Sequence, residues 1–376
     1  LGGTANGMPR SYGFNITAAS EVMAILCMSK NLDDLKERLG NILVGFTKQG
    51  EPVFAKQLNA QGAMAILLKE AIKPNLVQTL EGNAAILHGG PLANNAQGTN
   101  TIIATKMGLS LADYVVTEAG FGADLGAEKF MNIKCGYSGL KPDALVLVAT
   151  IRALRHHGGA KKAEYNTASI EKVKKGFENL EKHIENCKKF GLTPVVAINR
   201  FPTDSAEETE FVISECARHA VKAIISDCWA RGGEGMREIA QAVVDIIESG
   251  VNHFKPLYDW SITVEEKIMK IAKEIYGADD VEYSPKAREG LKMIKELGFD
   301  KLPVCMAKTQ KSFSDNENKV GRPRNFIVTV REFEFAAGAG FVIPILGDMM
   351  RMPGLPAVPA SEGMDIDNAG KISGLS

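Results

Sequence analysis

The 376-residue sequence has no C-x-x-C pair, and its cysteines, Cys27, Cys135, Cys187, Cys216, Cys228 and Cys305, are widely scattered. That spacing argues against a zinc site or a dithiol redox motif and fits a reducing, cytoplasmic compartment. No apolar run approaches the roughly 18 residues that span a bilayer, so no membrane partner is expected. Charge of one sign is also missing: the formal net charge is −1, which gives no bulk attraction to nucleic acid. Three motifs are absent. No G-x-x-x-x-G-K-[ST] is present to hold phosphates, because Gly370-Lys371 is followed by Ile372 and lacks the earlier glycine. No G-x-G-x-x-G follows a strand, which disfavours a dinucleotide enzyme, and there is no G-x-S-x-G nucleophile elbow. No signal peptide is visible. The sequence opens on Leu1-Gly2-Gly3 without methionine, and it reads as part of a longer protein.

What is present is ordinary for a globular chain: 45% hydrophobic and 24% charged residues. The length allows two or three domains at roughly 150 residues each. Five short apolar runs read as buried strands: Asn41–Phe46, Tyr114–Glu118, Ala144–Thr150, Pro194–Asn199 and Ala223–Asp227. Their Val, Ile and Leu residues are nearly continuous, as in parallel strands covered on both faces. Helical patterns lie between them. In Ser169–Phe190, Ile170, Val173, Phe177, Leu180, Ile184 and Cys187 fall on one face. Further helices are expected over Glu207–Val221 and Met236–Glu248. This alternation implies a right-handed, doubly wound parallel sheet of the α/β class.

The segment to about residue 90 reads as an α/β piece, with helices over Ala18–Ser29, Leu32–Leu39 and Ala60–Ala71. Residues 91–262 read as the main α/β domain. From residue 263 to 376 the pattern changes to a smaller α+β domain. It has helices over Thr263–Tyr276 and Ser284–Leu297 and strands over Asn325–Phe335 and Gly340–Leu346.

Ligands of open parallel sheets bind beyond the carboxyl ends of the strands. Three such exits carry an aromatic and a carboxylate: Thr117–Asp124, Asn199–Asp204 and Asp227–Gly235. Glycine or proline there is also ordinary turn chemistry. The loop aromatics Phe121, Phe201 and Trp229 are the stronger signal, because flat side chains in loops can stack on a purine or pterin. Asn199-Arg200 with Asp204 echoes the Asn-Lys-x-Asp loop of GTPases, although the aspartate comes two residues late. Glu118 has the position of a carboxylate facing Mg²⁺ through water, or of a plain helix N-terminal carboxylate. His88, in His88-Gly89-Gly90-Pro91, is a candidate general base or a hydrogen-bonded loop histidine. The pair His156-His157 alone does not make a metal site.

At these loops the sequence resembles formate–tetrahydrofolate ligase. The likeness is carried by Ile16–Leu26, Lys73–Gly82, His88–Pro91, Thr117–Gly126, Asn199–Phe201, the Trp229 loop and Met352–Pro356, and it covers essentially the whole chain. It implies a P-loop-NTPase-like fold and a homotetrameric ligase with ATP, formate and tetrahydrofolate as small-molecule substrates. Mg²⁺ and a monovalent cation, K⁺ or NH₄⁺, are expected with it. Formate would be phosphorylated to formyl phosphate, which the folate N10 then attacks. By similarity Phe121, Phe201 and Trp229 would line the ring pocket, with Asn199, Arg200, Gly232 and Gly233 beside them. Two positions depart from the family pattern: Gln97 stands where histidine is usual, and Asn15 where aspartate is usual. The phosphate loop and catalytic residues are expected before Leu1. A non-catalytic folate- or nucleotide-binding unit is the alternative.

Overall fold

The computed structural model describes residues 16–93, 96–120, 122–347 and 358–374. The chain divides into two compact units, Thr17–Met349 and Leu1–Ile16 with Met350–Ser376. The boundaries read after residues 90 and 262 both fall inside the first unit. In the second, a short turn over Ala360–Gly363 precedes an exposed antiparallel pair, Asp365–Ile366 with Ile372–Ser373.

At the centre of the first unit is a three-stranded parallel sheet in the order Val146–Ala149, Val195–Asn199, Ala223–Ser226. The middle strand is buried on both faces: Val195, Val196, Ala197 and Ile198 are at most 2% exposed. Alternation along the strands splits the core into two layers. Leu147, Ala149, Val196 and Ile198 meet Ile151, Leu154, Val173, Phe177, Leu180, Ile184, Val212 and Cys216. These come from the helices Ile151–His157, Ile170–Lys189 and Ala206–Arg218. On the other face Val195, Ala197 and Ile224 meet Ile239 and Ala242 of the helix Arg237–Ser249. Each buried Val, Leu, Ile or Phe side chain in these layers contributes about 1.5–3 kcal/mol of burial. The fold is thus a mixed α/β arrangement with helices on both sides of a parallel sheet.

Two expected strands are not part of this sheet. The Asn41–Phe46 run yields Leu43–Phe46, which pairs antiparallel with Pro52–Phe54. The intervening Thr47–Glu51 closes as a turn, with Thr47 N–H donating to Glu51 O at 2.8 Å and Gly50 at φ +88°. Val44 and Phe46 are therefore exposed rather than buried. Residues 114–118 form no strand. The only pairing nearby, among the described residues, is the bridge Thr99↔Ala119, and Tyr114 and Val116 face solvent. Apolar composition does not produce a ladder where no neighbouring strand offers partners.

The rest of the unit closes around two further cores. Helices Glu21–Met28 and Leu32–Gly40 pack Ile25, Met28, Leu35 and Leu39 against Ala307, Phe341, Ile343 and Ile345. Ser20 caps the first helix by accepting from Met23 N–H at 3.2 Å. The larger core joins Phe130, Met131, Ile268, Ile275, Val304 and Val328. Its sheet is mixed: Ile327–Ala336 lies parallel to Asp280–Tyr283 and antiparallel to Phe341–Leu346. Helices Val264–Ile271 and Pro285–Glu296 accompany it.

Candidate functional site at the carboxyl edge of the sheet

All three parallel strands end on the same edge, and the loops that follow them are firmly braced. Thr150 caps the helix after the first strand, accepting from Ala153 N–H at 3.0 Å. Asn199 ends the middle strand, and Arg200 N–H donates to Ser226 O of the third at 3.1 Å. Phe201 N–H donates to Asp204 Oδ2 at 2.8 Å, and Asp204 N–H returns to Phe201 O at 3.0 Å. Burial raises the Asp204 carboxyl, against the pull of that backbone N–H.

Beneath the loop lies a buried ion pair. Arg155 Nε donates to Glu208 Oε1 at 2.8 Å and Arg155 Nη2 to Glu208 Oε2 at 2.5 Å. The same guanidinium holds Tyr165 O and Thr203 O at 2.8 and 3.1 Å. Burial alone would raise the Glu208 carboxyl. Arg155 and the N–H groups of Ser169 and Ser205 instead bring it down to about 2. One turn earlier, the Arg152 guanidinium carbon sits 4.0 Å above the Phe201 ring.

The third exit is a short helix, Cys228–Arg231, followed by a tight turn over Gly232–Met236. Asp227 N–H donates to Gly235 O at 3.3 Å and closes it. Trp229 is 85% exposed. Gly233 N–H donates 2.7 Å to Glu81 Oε1, at the tip of the antiparallel hairpin Asn75–Gln78 with Ala84–Leu87. A Cβ on Gly232 would lie 2.3 Å from that oxygen, and Gly232 is at φ +57°. The backbone angle favours glycine there, and a larger residue would push the exposed Glu81 side chain aside.

Phe121 lies outside the described residues, as does the Met352–Pro356 block. The loop around it is glycine-rich because the backbone packs closely there. A Cβ on Gly126 would meet Gly120 O at 1.9 Å, and one on Gly120 would meet Ala93 Cβ at 2.2 Å. Asp124 is buried against Lys308, 2.7 Å away. Glu118 is exposed and makes no hydrogen bond or ion pair among the described residues. So the structure brings Asn199, Arg200, Phe201, Trp229, Gly232 and Gly233 to one edge.

His88 is buried, and both its ring nitrogens are engaged: Nδ1 with Thr101 Oγ1 at 2.7 Å and Nε2 with Ala71 O at 2.8 Å. The carbonyl can only accept, so Nε2 carries the proton and Nδ1 accepts from the threonine hydroxyl. Burial lowers its pKa and favours this neutral form. The ring ties two loops together and has no nitrogen left for a substrate. Gln97 is fully buried, and neither amide atom is hydrogen-bonded among the described residues. His156 bonds Tyr165 Oη at 2.7 Å and His157 accepts from Gly321 N–H at 3.0 Å, so that pair is structural. Among the described residues no three His, Cys, Asp or Glu side chains gather to hold a metal ion.

Sequence reading missed Arg152 and Glu81. Arg152 directly follows the first strand exit, so the rule that selected the other loops also covers it. Glu81 meets its partner across 152 residues and has no local signal.

Fold and edge together define an α/β protein whose sheet-exit loops present aromatic, amide and guanidinium groups side by side. The family model for formate–tetrahydrofolate ligase matches residues 1–376, and the chain belongs to that family. The family's reaction is the ATP-dependent ligation of formate to tetrahydrofolate, so ATP, formate and tetrahydrofolate are the substrates it implies. Among the described residues no helix is long and apolar enough to cross a membrane.

Proposed function

We propose that this chain supplies the ring-binding edge of a formate–tetrahydrofolate ligase, in which Phe121, Phe201 and Trp229 receive the planar heterocycles of ATP and tetrahydrofolate. Asn199 and Arg200 at the middle exit, and Gly232 and Gly233 at the third, complete the edge. The observation that carries this reading is the shared position of the Phe201 and Trp229 loops, joined by the Arg200–Ser226 hydrogen bond, in a chain of this family. The division of labour follows the sequence: residues 91–262 bind the rings on a P-loop-NTPase-like, doubly wound sheet, flanked by 1–90 and 263–376.

The proposed chemistry runs through formyl phosphate. A formate oxygen attacks the γ-phosphorus of ATP and ADP leaves. The folate N10 then attacks the formyl carbon, phosphate departs and N10 loses a proton. Phosphate is the better leaving group, which is the reason for the detour. Mg²⁺ would offset the phosphate charge, and the free carboxylate of Glu118 fits an outer position near it. A monovalent cation, K⁺ or NH₄⁺, would accompany it. A cytoplasmic homotetramer belongs to the same proposal.

Calorimetric titration tests the reading. Replacing Trp229 with Ala is expected to weaken tetrahydrofolate or ATP binding by about 1–3 kcal/mol, the usual range for a lost stacked aromatic. Unchanged affinity for both would remove Trp229 from the site. A second reading, a folate- or nucleotide-binding unit without catalysis, is favoured by one feature. Gln97 replaces the family's usual histidine and is buried without a partner among the described residues.

A further inference from the structure

The helix Ile151–His157 carries two arginines toward the Phe201 loop, and they differ sharply in how they are satisfied. Arg155 is saturated by Glu208 and two carbonyls. Arg152 makes no hydrogen bond or ion pair among the described residues, and its Nε is sheltered from solvent without a partner. Its one strong contact is the stack on Phe201 at 4.0 Å. A half-buried guanidinium left in this state loses hydration and gains only the ring.

We infer that Arg152 is an anion-binding residue of the sheet-edge site, taking a substrate oxyanion while its guanidinium stays stacked on Phe201. Two further observations support this. Thr203 Oγ1, on the same loop, is also buried and has no partner among the described residues, so a hydroxyl donor stands ready on the Phe201 loop. Asp204, whose carboxyl feels Arg155 more than Arg152, does not form an ion pair with Arg152, and its Oδ2 is committed to the Phe201 N–H. A planar fork with free N–H groups suits a carboxylate or phosphate bidentately. The stack also leaves only the opposite face of Phe201 for a heterocycle. Ring and anion would then be read by adjacent side chains. The inference rests on the reading that Phe201 lines the site.

Two substrate groups have this chemistry: the phosphates of ATP and the glutamyl carboxylates of tetrahydrofolate. Binding of ATP, adenosine, tetrahydrofolate and 6-methyltetrahydropterin to the 376-residue chain separates them. Arg152→Met is expected to weaken one anionic probe by about 10- to 100-fold. Its uncharged counterpart should change less than about twofold, and Arg152→Lys should recover part of the loss. Selective loss of ATP assigns the phosphates; selective loss of tetrahydrofolate assigns the carboxylates. The inference is overturned if all four probes bind unchanged. It is equally overturned if charged and uncharged probes weaken together, since that marks support of Phe201 alone, or if the unsubstituted chain binds none. Phe201→Ala runs in parallel. If it leaves adenosine and the pterin unaffected, the ring-site reading fails while an anion-selective Arg152 effect still stands.

Discussion

Glu128 is fully buried, its Oε1 accepting from Asn132 Nδ2 at 2.7 Å and its Oε2 without a partner among the described residues. Burial pushes its carboxyl up to about 7, although Asn132 and Lys129 oppose the shift. Between the unfolded value of 4.5 and about 7 the native state binds the extra proton, so this group's stability contribution falls as pH rises through that window. His157 acts in the opposite direction. Burial, with His156 and His183 nearby, lowers it to about 4, so between about 4 and 6.5 the unfolded state binds more protons and stability rises with pH. Glu128→Gln removes the first slope and leaves the second. Thermal unfolding at pH 5 and pH 8 should show the variant gaining on the parent at the higher pH. A difference that does not change with pH would rule out a protonated Glu128. Such residues are not legible in sequence, because Glu128 in Gly126-Ala127-Glu128-Lys129 looks like any helix-start carboxylate. His88 is a middle case: its position was visible, but its two engaged nitrogens came only from the fold.

The three parallel strands were legible at the level of elements because their burial on both faces leaves continuous apolar runs. The hairpin over Asn75–Gln78 and Ala84–Leu87 was not, since its residues are exposed or only half-buried and follow no core pattern. Residues 114–118 illustrate the reverse error, in which strand-like composition met no ladder. The hairpin tip nevertheless touches the candidate site through Glu81. Glu81→Ala is expected to speed amide hydrogen exchange at Gly233 by about tenfold, the loss of one charge-assisted hydrogen bond. Global stability should change by less than about 1 kcal/mol, because the contact lies at the surface. Exchange at Gly233 as slow as in the parent would show that the turn holds its shape without the hairpin.

For the whole molecule, the family was legible from long motif blocks, and the α/β class from the alternation of strands and helices. The way the cores are shared was not, because long-range packing leaves no trace in local periodicity.

The first helices and the strand Phe341–Leu346 share one core, and Glu21 accepts from Gly338 N–H at 2.7 Å across 317 residues. A ribosome must therefore deliver the 317 residues between these partners before the helices Glu21–Met28 and Leu32–Gly40 can dock on that strand. Until then part of the surface of Ile25, Leu35 and Leu39 stays uncovered, and holdase chaperones would have that stretch of nascent chain to protect.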